Sequence, residues 1–129
     1  KVLVVDDEED SLNVATRILK YYGANVVTAG NGELGLATAR IEQPHFIISD
    51  LSMPQMDGWE LIDRLKKDRE LAGIPVIALT AHAMIGGRQR AIEAGFHNYL
   101  TKPLTPATFM RDLLNLLMAI PALAELLGA

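Results

Sequence analysis

The sequence predicts an α/β protein: a doubly wound, five-stranded parallel sheet with helices on both faces. Three observations carry that prediction. Short apolar runs alternate with helical stretches five times along the chain. The runs are apolar at nearly every position, which suits strands covered on both sides. And 129 residues, half of them hydrophobic and 22% charged, are enough for one domain with one sizeable core.

The elements follow in order. KVLVV (1–5) is the first strand, a continuous apolar run of strand length. Over 10–22, Leu12, Ala15, Leu19 and Tyr22 recur at helical spacing, and Gly23 stands where a helix C-cap is expected. NVVTA (25–29) is the second strand, and 32–42 is a helix holding Leu34, Leu36 and Ile41 among alanines. HFIIS (45–49) is the third strand. The helix over 57–68 sets Leu61, Ile62 and Leu65 opposite lysines and acids, and Trp59 falls on its first turn as a packing residue. PVIALT (75–80) is the fourth strand. The helix over 86–94 is only weakly apolar, follows the two glycines of MIGG (84–87) and ends at Gly95. Two glycines at its start leave it loosely anchored, which suits a moving element. HNYL (97–100) is the fifth strand, and 106–118 is a helix with Phe109, Leu113, Leu116 and Leu117 on one stripe. His45 and His97 read as strand-edge residues. Right-handed crossovers leave few topologies for this pattern, and the flavodoxin-like order 2-1-3-4-5 is the expected one.

Composition narrows function. The net charge of −4 argues against a nucleic-acid surface. The absence of cysteine excludes disulfides, thiolate catalysis and cysteine-ligated metals, and it fits the cytoplasm. No apolar run reaches the roughly 18 residues of a membrane span. The chain opens at Lys1 rather than Met and enters a strand at once, as expected where the ends are trimmed or the domain is cut from a longer protein.

In parallel sheets of this order, sites form beyond the C-terminal ends of the strands. There the sequence concentrates its chemistry. The first strand runs into Asp6 and Asp7, the third into Asp50, the fourth into Thr80, the fifth toward Lys102. Three carboxylates on one edge need a counter-charge. Lys102 supplies one, and a hard divalent cation such as Mg2+ suits the excess. An aspartate beside Mg2+ and a lysine is equipped to attack a phosphoryl group. Taken singly, each residue has an ordinary structural role. Glu8, Glu9 and Asp10 read as favourable charge at a helix N-terminus on a solvated face, with Ser11 as part of the cap. Asp50 alone fits a turn in DLSMPQMDG. The joint placement at successive strand ends is what points to a site.

VVDDEED, IISDLSMPQMDGWEL, PVIALTAHA and AGFHNYLTKPL together resemble the receiver domain of two-component response regulators. The resemblance covers residues 1–118, leaving 119–129 as a C-terminal extension or the start of a linker. It implies that Asp50 accepts a phosphoryl group from a histidine kinase or phosphotransfer protein. It implies that Mg2+ (or Mn2+) is held by Asp7 directly, by Asp6 through water, by Asp50 and by the backbone carbonyl of Ser52. Lys102 would pair with the phosphoryl group, and the Lys102–Pro103 bond would be cis. Thr80 would be the switch hydroxyl and Tyr99 the aromatic that follows it, altering the surface formed by residues 83–112 for an output domain or protein. Small Ala81 would leave phosphoryl access open, and Ser52 and His82 would tune the lifetime of the acyl phosphate. His82 alone reads as a solvated loop residue. Such a domain is a phosphoacceptor rather than an enzyme in the usual sense, though it takes part in its own phosphotransfer and dephosphorylation. A homodimer is an expected assembly.

Rival readings meet specific residues. A haloacid-dehalogenase-type phosphatase needs a second acid two residues after its nucleophile, where Ser52 stands. A flavodoxin needs a hydroxyl- and glycine-rich phosphate loop after the first strand, where DDEED would repel a flavin phosphate. A degenerate receiver would lack key residues that are all present. Three contexts stay open: a single-domain regulator, part of a transcription factor, or part of a hybrid histidine kinase. TAHAM and AGFHNYLTKPL resemble stand-alone and hybrid-kinase receivers more than DNA-binding regulators. Leu123, Leu126 and Leu127 suit a short helix after Pro121, and no output module is present in the chain.

Overall fold

The computed structural model describes residues 1–53, 56–80, 86–102, 106–118 and 120. Five strands alternate with five helices: β1 (Val2–Val5), α1 (Glu9–Tyr21), β2 (Val26–Ala29), α2 (Gly32–Glu42), β3 (Phe46–Asp50), α3 (Gly58–Lys67), β4 (Val76–Thr80), α4 (Gly87–Ala94), β5 (Asn98–Thr101) and α5 (Pro106–Met118). The strands form one sheet in the order β2-β1-β3-β4-β5, and every pairing is parallel. The predicted fold class and order are therefore those observed.

Burial follows position in the sheet. The inner strands β1 and β4 are buried at every residue, the central β3 at all but Phe46, and the edge strand β5 at none. Alternation along each strand divides the core in two. Leu3, Val5, Ile47 and Ala78 face the layer of Leu36, Leu61, Leu65 and Ala91. Val2, Val4, Ile48, Ile77 and Leu79 face the layer of Ala15, Leu19, Phe109 and Leu113. Helices α2, α3 and α4 thus cover one face, and α1 and α5 the other.

Local chemistry sets the helix ends. The Asn31 side chain accepts from the Leu34 N–H at 2.8 Å, and Asp57 accepts from the Glu60 N–H at 2.9 Å, each capping a helix start. Gly23 (φ 90°) and Gly95 (φ 117°) close α1 and α4 in the left-handed conformation that glycine adopts without strain. The N-cap of α1 is Glu8, and its side chain makes no capping bond; Ser11 lies inside the helix rather than at its cap.

Three apolar residues named in the predicted helices face solvent. Tyr22 is 56% exposed, Leu34 54% and Ile41 81%. The cause in α2 is its small residues. Gly32, Gly35, Leu36 and Ala39 form the buried face, and a Cβ at Gly35 would lie 2.9 Å from Val5 Cγ2. The helix sits close to β1 with Leu36 inward, while Leu34 and Ile41 turn outward. In α4 only Gly87 and Ala91 are buried, matching its weak apolar pattern. Two cation–π contacts supplement them: Arg88 stands 5.6 Å from the Tyr99 ring centroid and Arg90 5.6 Å from that of Trp59. Trp59 also meets Phe96 edge-on at 5.8 Å, confirming a packing role. The expectations for Ala81, His82, Pro103 and residues 121–129 lie outside the described residues. Among the described residues, no helix is long and apolar enough to cross a membrane.

Candidate functional site

The parallel sheet carries Asp6, Asp7, Asp50, Thr80 and Lys102 to one edge because each follows or ends a strand at the same end. Asp50 is the last residue of β3 and pairs with Leu79; Thr80, next along β4, pairs with Thr101. Lys102 follows at once, and its backbone N–H donates to the Thr80 carbonyl at 2.7 Å. Main-chain hydrogen bonding thus ties the residue bearing the hydroxyl to the residue bearing the ammonium.

Carboxylates crowd the centre. Ligand atoms of Asp6, Asp7 and Asp50 all lie within 4.8 Å of one another. Asp6 is fully buried, Asp50 is 3% exposed and Asp7 opens to solvent. The Lys102 ammonium stands 3.0 Å from Asp6 Oδ2, 3.3 Å from Glu8 Oε1 and 3.4 Å from Asp50 Oδ2. Its hydrogen bonds go to Glu8 and Asp50. Asp6 Oδ2 has its charge neighbour but no aligned donor, so a buried carboxylate oxygen is left without a hydrogen bond. Its other oxygen accepts from the Glu8 N–H at 2.9 Å. Asp50 Oδ1 accepts from the Ser52 N–H at 3.2 Å.

This crowding shows in the titration of the site. Burial pushes the Asp50 carboxyl up from 3.8 to about 6, and the charge of Asp6 adds to the rise; Lys102 and the Ser52 N–H oppose it. Burial works against the charge on Lys102, but Asp6, Asp50 and Glu8 outweigh it and hold the ammonium above its ordinary value. One lysine does not balance the cluster.

The donor set fits a hard divalent cation. All the candidate ligands are carboxylate oxygens, one buried oxygen lacks a hydrogen bond, and exposed Asp7 leaves an open side where waters would complete a coordination shell. Chemically, the arrangement offers a buried carboxylate of raised basicity beside a fixed ammonium and an oxygen-rich cation seat.

The structure brings together Asp6, Asp7, Asp50, Lys102 and the Ser52 N–H. It places Thr80 and Tyr99 on β4 and β5, with Tyr99 half-buried against the core and under Arg88. Sequence reasoning passed over two residues. Glu8 was read as solvated helix-end charge, yet it reaches across 94 positions to Lys102. Gly58 stands in the helix predicted over 57–68 with no role of its own, yet a Cβ there would lie 2.3 Å from the Asp50 carbonyl oxygen. No local signal marks either contact, because both depend on how distant strand ends meet.

Known proteins resemble this chain in sequence and fold. The family model for the response regulator receiver domain matches residues 2–114. An uncharacterized 14.6 kDa protein of Leptolyngbya boryana is 39% identical over 120 residues, covering 93% of this chain and 92% of the relative. The probable transcriptional regulatory protein TcrX of Mycobacterium tuberculosis is 36% identical over 104 residues, covering 81% of this chain and 44% of TcrX. The chain therefore spans nearly all of one relative and under half of the other. Among solved structures, the chemotaxis response regulator CheY4 of Vibrio cholerae aligns with a TM-score of 0.83 at 30% identity, over 90% of this chain and 97% of that one. With the family model matched along most of its length and the sheet order and clustered acids in place, the chain belongs to the receiver domains of the response regulators of two-component signalling.

Proposed function

We propose that this domain accepts a phosphoryl group on Asp50 in a Mg2+-dependent reaction and relays that change to a partner. The convergence of Asp6, Asp7, Asp50 and Lys102 on one sheet edge carries the reading. Asp6, Asp7, Asp50 and the Ser52 carbonyl would hold the cation, which when bound offsets negative charge on the transferring group. A carboxylate oxygen of Asp50 attacks phosphorus as the bond to the leaving group breaks. The Ser52 N–H and the Lys102 ammonium orient that carboxylate, and Lys102 keeps its proton while bonding a phosphoryl oxygen. Ser52, exposed beside Asp50, and His82 would set how readily water reaches the product.

The donor would be the phosphohistidine of a kinase or phosphotransfer protein, and the receiver of the signal an output domain or protein, with a homodimer as one assembly. The proposed setting is the cytoplasm. The test is intact mass after incubation with acetyl phosphate. The wild type with Mg2+ should gain one phosphoryl group; wild type in EDTA and Asp50→Asn with Mg2+ should gain none. An adduct that persists in Asp50→Asn would remove Asp50 from the role.

The phosphoryl group adds about −1.5 to −2 charge and strong acceptor oxygens at the strand ends. Thr80 and Lys102, joined through their backbones, would shift toward it together, and Tyr99 would follow on β5. Thr80→Ala is then expected to keep the mass adduct while losing most of the phosphorylation-dependent change in Trp59 fluorescence, since Arg90 of α4 stands over that ring. An unchanged fluorescence response would break the proposed coupling.

A further inference from the structure

We infer that Glu8 is a positioning residue that occupies Lys102 in the unmodified domain and thereby restrains phosphoryl uptake. The inference rests on the acceptor role proposed for Asp50. Glu8 sits at the N-cap of α1, where an acidic side chain ordinarily serves the helix, yet it makes no capping bond. Instead its Oε1 lies 3.3 Å from Lys102 Nζ and accepts a hydrogen bond from it. Its backbone N–H meanwhile donates to Asp6 Oδ1, which fixes the residue at the mouth of the site.

An ammonium has three N–H donors. Among the described residues, the carboxylates of Asp6, Glu8 and Asp50 stand 3.0 to 3.4 Å from this one. A phosphoryl group arriving on Asp50 needs Lys102 as a donor, and Glu8 competes for it. The competitor is built to yield: the Glu8 side chain is 63% exposed, whereas that of Lys102 is 12% exposed. Glu8 can turn to water at small cost while Lys102 stays.

The step affected is balanced. With acetyl phosphate, a carboxylate oxygen of Asp50 forms the new P–O bond, and the P–O bond to acetate breaks with its electron pair leaving on acetate. No proton is exchanged, and three negative charges stand on each side. Glu8 acts only on the field and on the donor available at Lys102.

The experiment measures the rate of adduct formation by intact mass, with acetyl phosphate and saturating Mg2+, on the full chain. Glu8→Gln should react about threefold faster than wild type, the scale of a partly exposed ion pair. Glu8→Asp keeps the charge but falls a methylene short of Lys102, and it should also be faster than wild type, by about twofold on the same scale. The beryllofluoride mimic should show the same order, with both variants saturating at lower beryllium concentration. Thermal melts check that α1 is intact. Equal rates for Glu8→Gln and wild type would overturn the inference. So would a Glu8→Asp variant matching wild type beside a fast Glu8→Gln, since charge alone would then explain the rate. If the wild type takes up no phosphoryl group at all, the acceptor role of Asp50 fails first and this inference falls with it.

Discussion

Asp50→Asn is expected to be more stable than the wild type in metal-free buffer at pH 7.5, by about 1–3 kcal/mol in urea denaturation. The reason is the cost of ionising a buried carboxylate beside Asp6. Folded Asp50 titrates at about 6, against 3.8 for the ordinary group. Between those two values the folded chain binds the extra proton, so stability falls as pH rises through that window. Above about 6 the penalty is complete, and below 3.8 it is gone. The side chain is 4% exposed, so solvent does little to screen the effect. The variant's advantage should therefore be full at pH 7.5 and shrink steadily toward pH 4. Saturating Mg2+ should stabilise the wild type by about 2–3 kcal/mol at a hundredfold excess over its dissociation constant, and the variant by clearly less. A destabilised Asp50→Asn, or a difference that ignores pH, would contradict the electrostatic account. On this account the crowded carboxylates cost folding stability, a cost that the proposed function assigns to holding a cation and a phosphoryl group.

The fold was legible because its signals are local. Continuous apolar runs marked the strands, and parallel topology then forced Asp6, Asp50, Thr80 and Lys102 to a common edge without any knowledge of their contacts. What stayed hidden depends on fit between elements distant in sequence. The apolar content of α2 named Leu34, Leu36 and Ile41 without saying which would be buried; Leu36 lies inward with Gly32, Gly35 and Ala39, whose small size lets the helix approach Val5. Tyr22 escaped its stripe because α1 has already ended there. Glu8 was indistinguishable from its neighbours Glu9 and Asp10 until β5 brought Lys102 beside it. The cation–π pairs of Arg88 and Arg90 were invisible for the same reason: a weakly apolar helix gives no hint of which rings it will cover.

Gly58→Ala should be the most damaging small substitution near the site. The added Cβ would lie 2.3 Å from the Asp50 carbonyl oxygen, 2.8 Å from Leu51 Cα and 3.1 Å from the Asp50 carbonyl carbon. All three neighbours are backbone, so no side chain can swing away. The Gly58 N–H also donates to the Leu51 carbonyl at 3.1 Å, which fastens the start of α3 to the end of β3. Relief requires α3 to lift or the end of β3 to bend. Lifting α3 loosens Leu61, Ile62 and Leu65, each 1% exposed, from the core. Overpacking of this kind costs about 1–3 kcal/mol, and contact with rigid backbone puts this case near the upper end. Bending β3 moves Asp50 itself, and a displacement near 1 Å slows a positioned reaction by about a hundredfold. Gly73→Ala is the control, because a Cβ there meets nothing within 4 Å and its backbone is compatible with alanine. Urea denaturation and acetyl phosphate kinetics on the two variants separate the outcomes. A stable Gly58→Ala with slow phosphoryl uptake would mean that β3 yields and that Gly58 positions the acceptor. A destabilised variant that still reacts at the wild-type rate would mean that α3 yields and that Gly58 serves packing alone. A variant matching Gly73→Ala in both would show that the close approach of α3 to β3 carries no energetic weight.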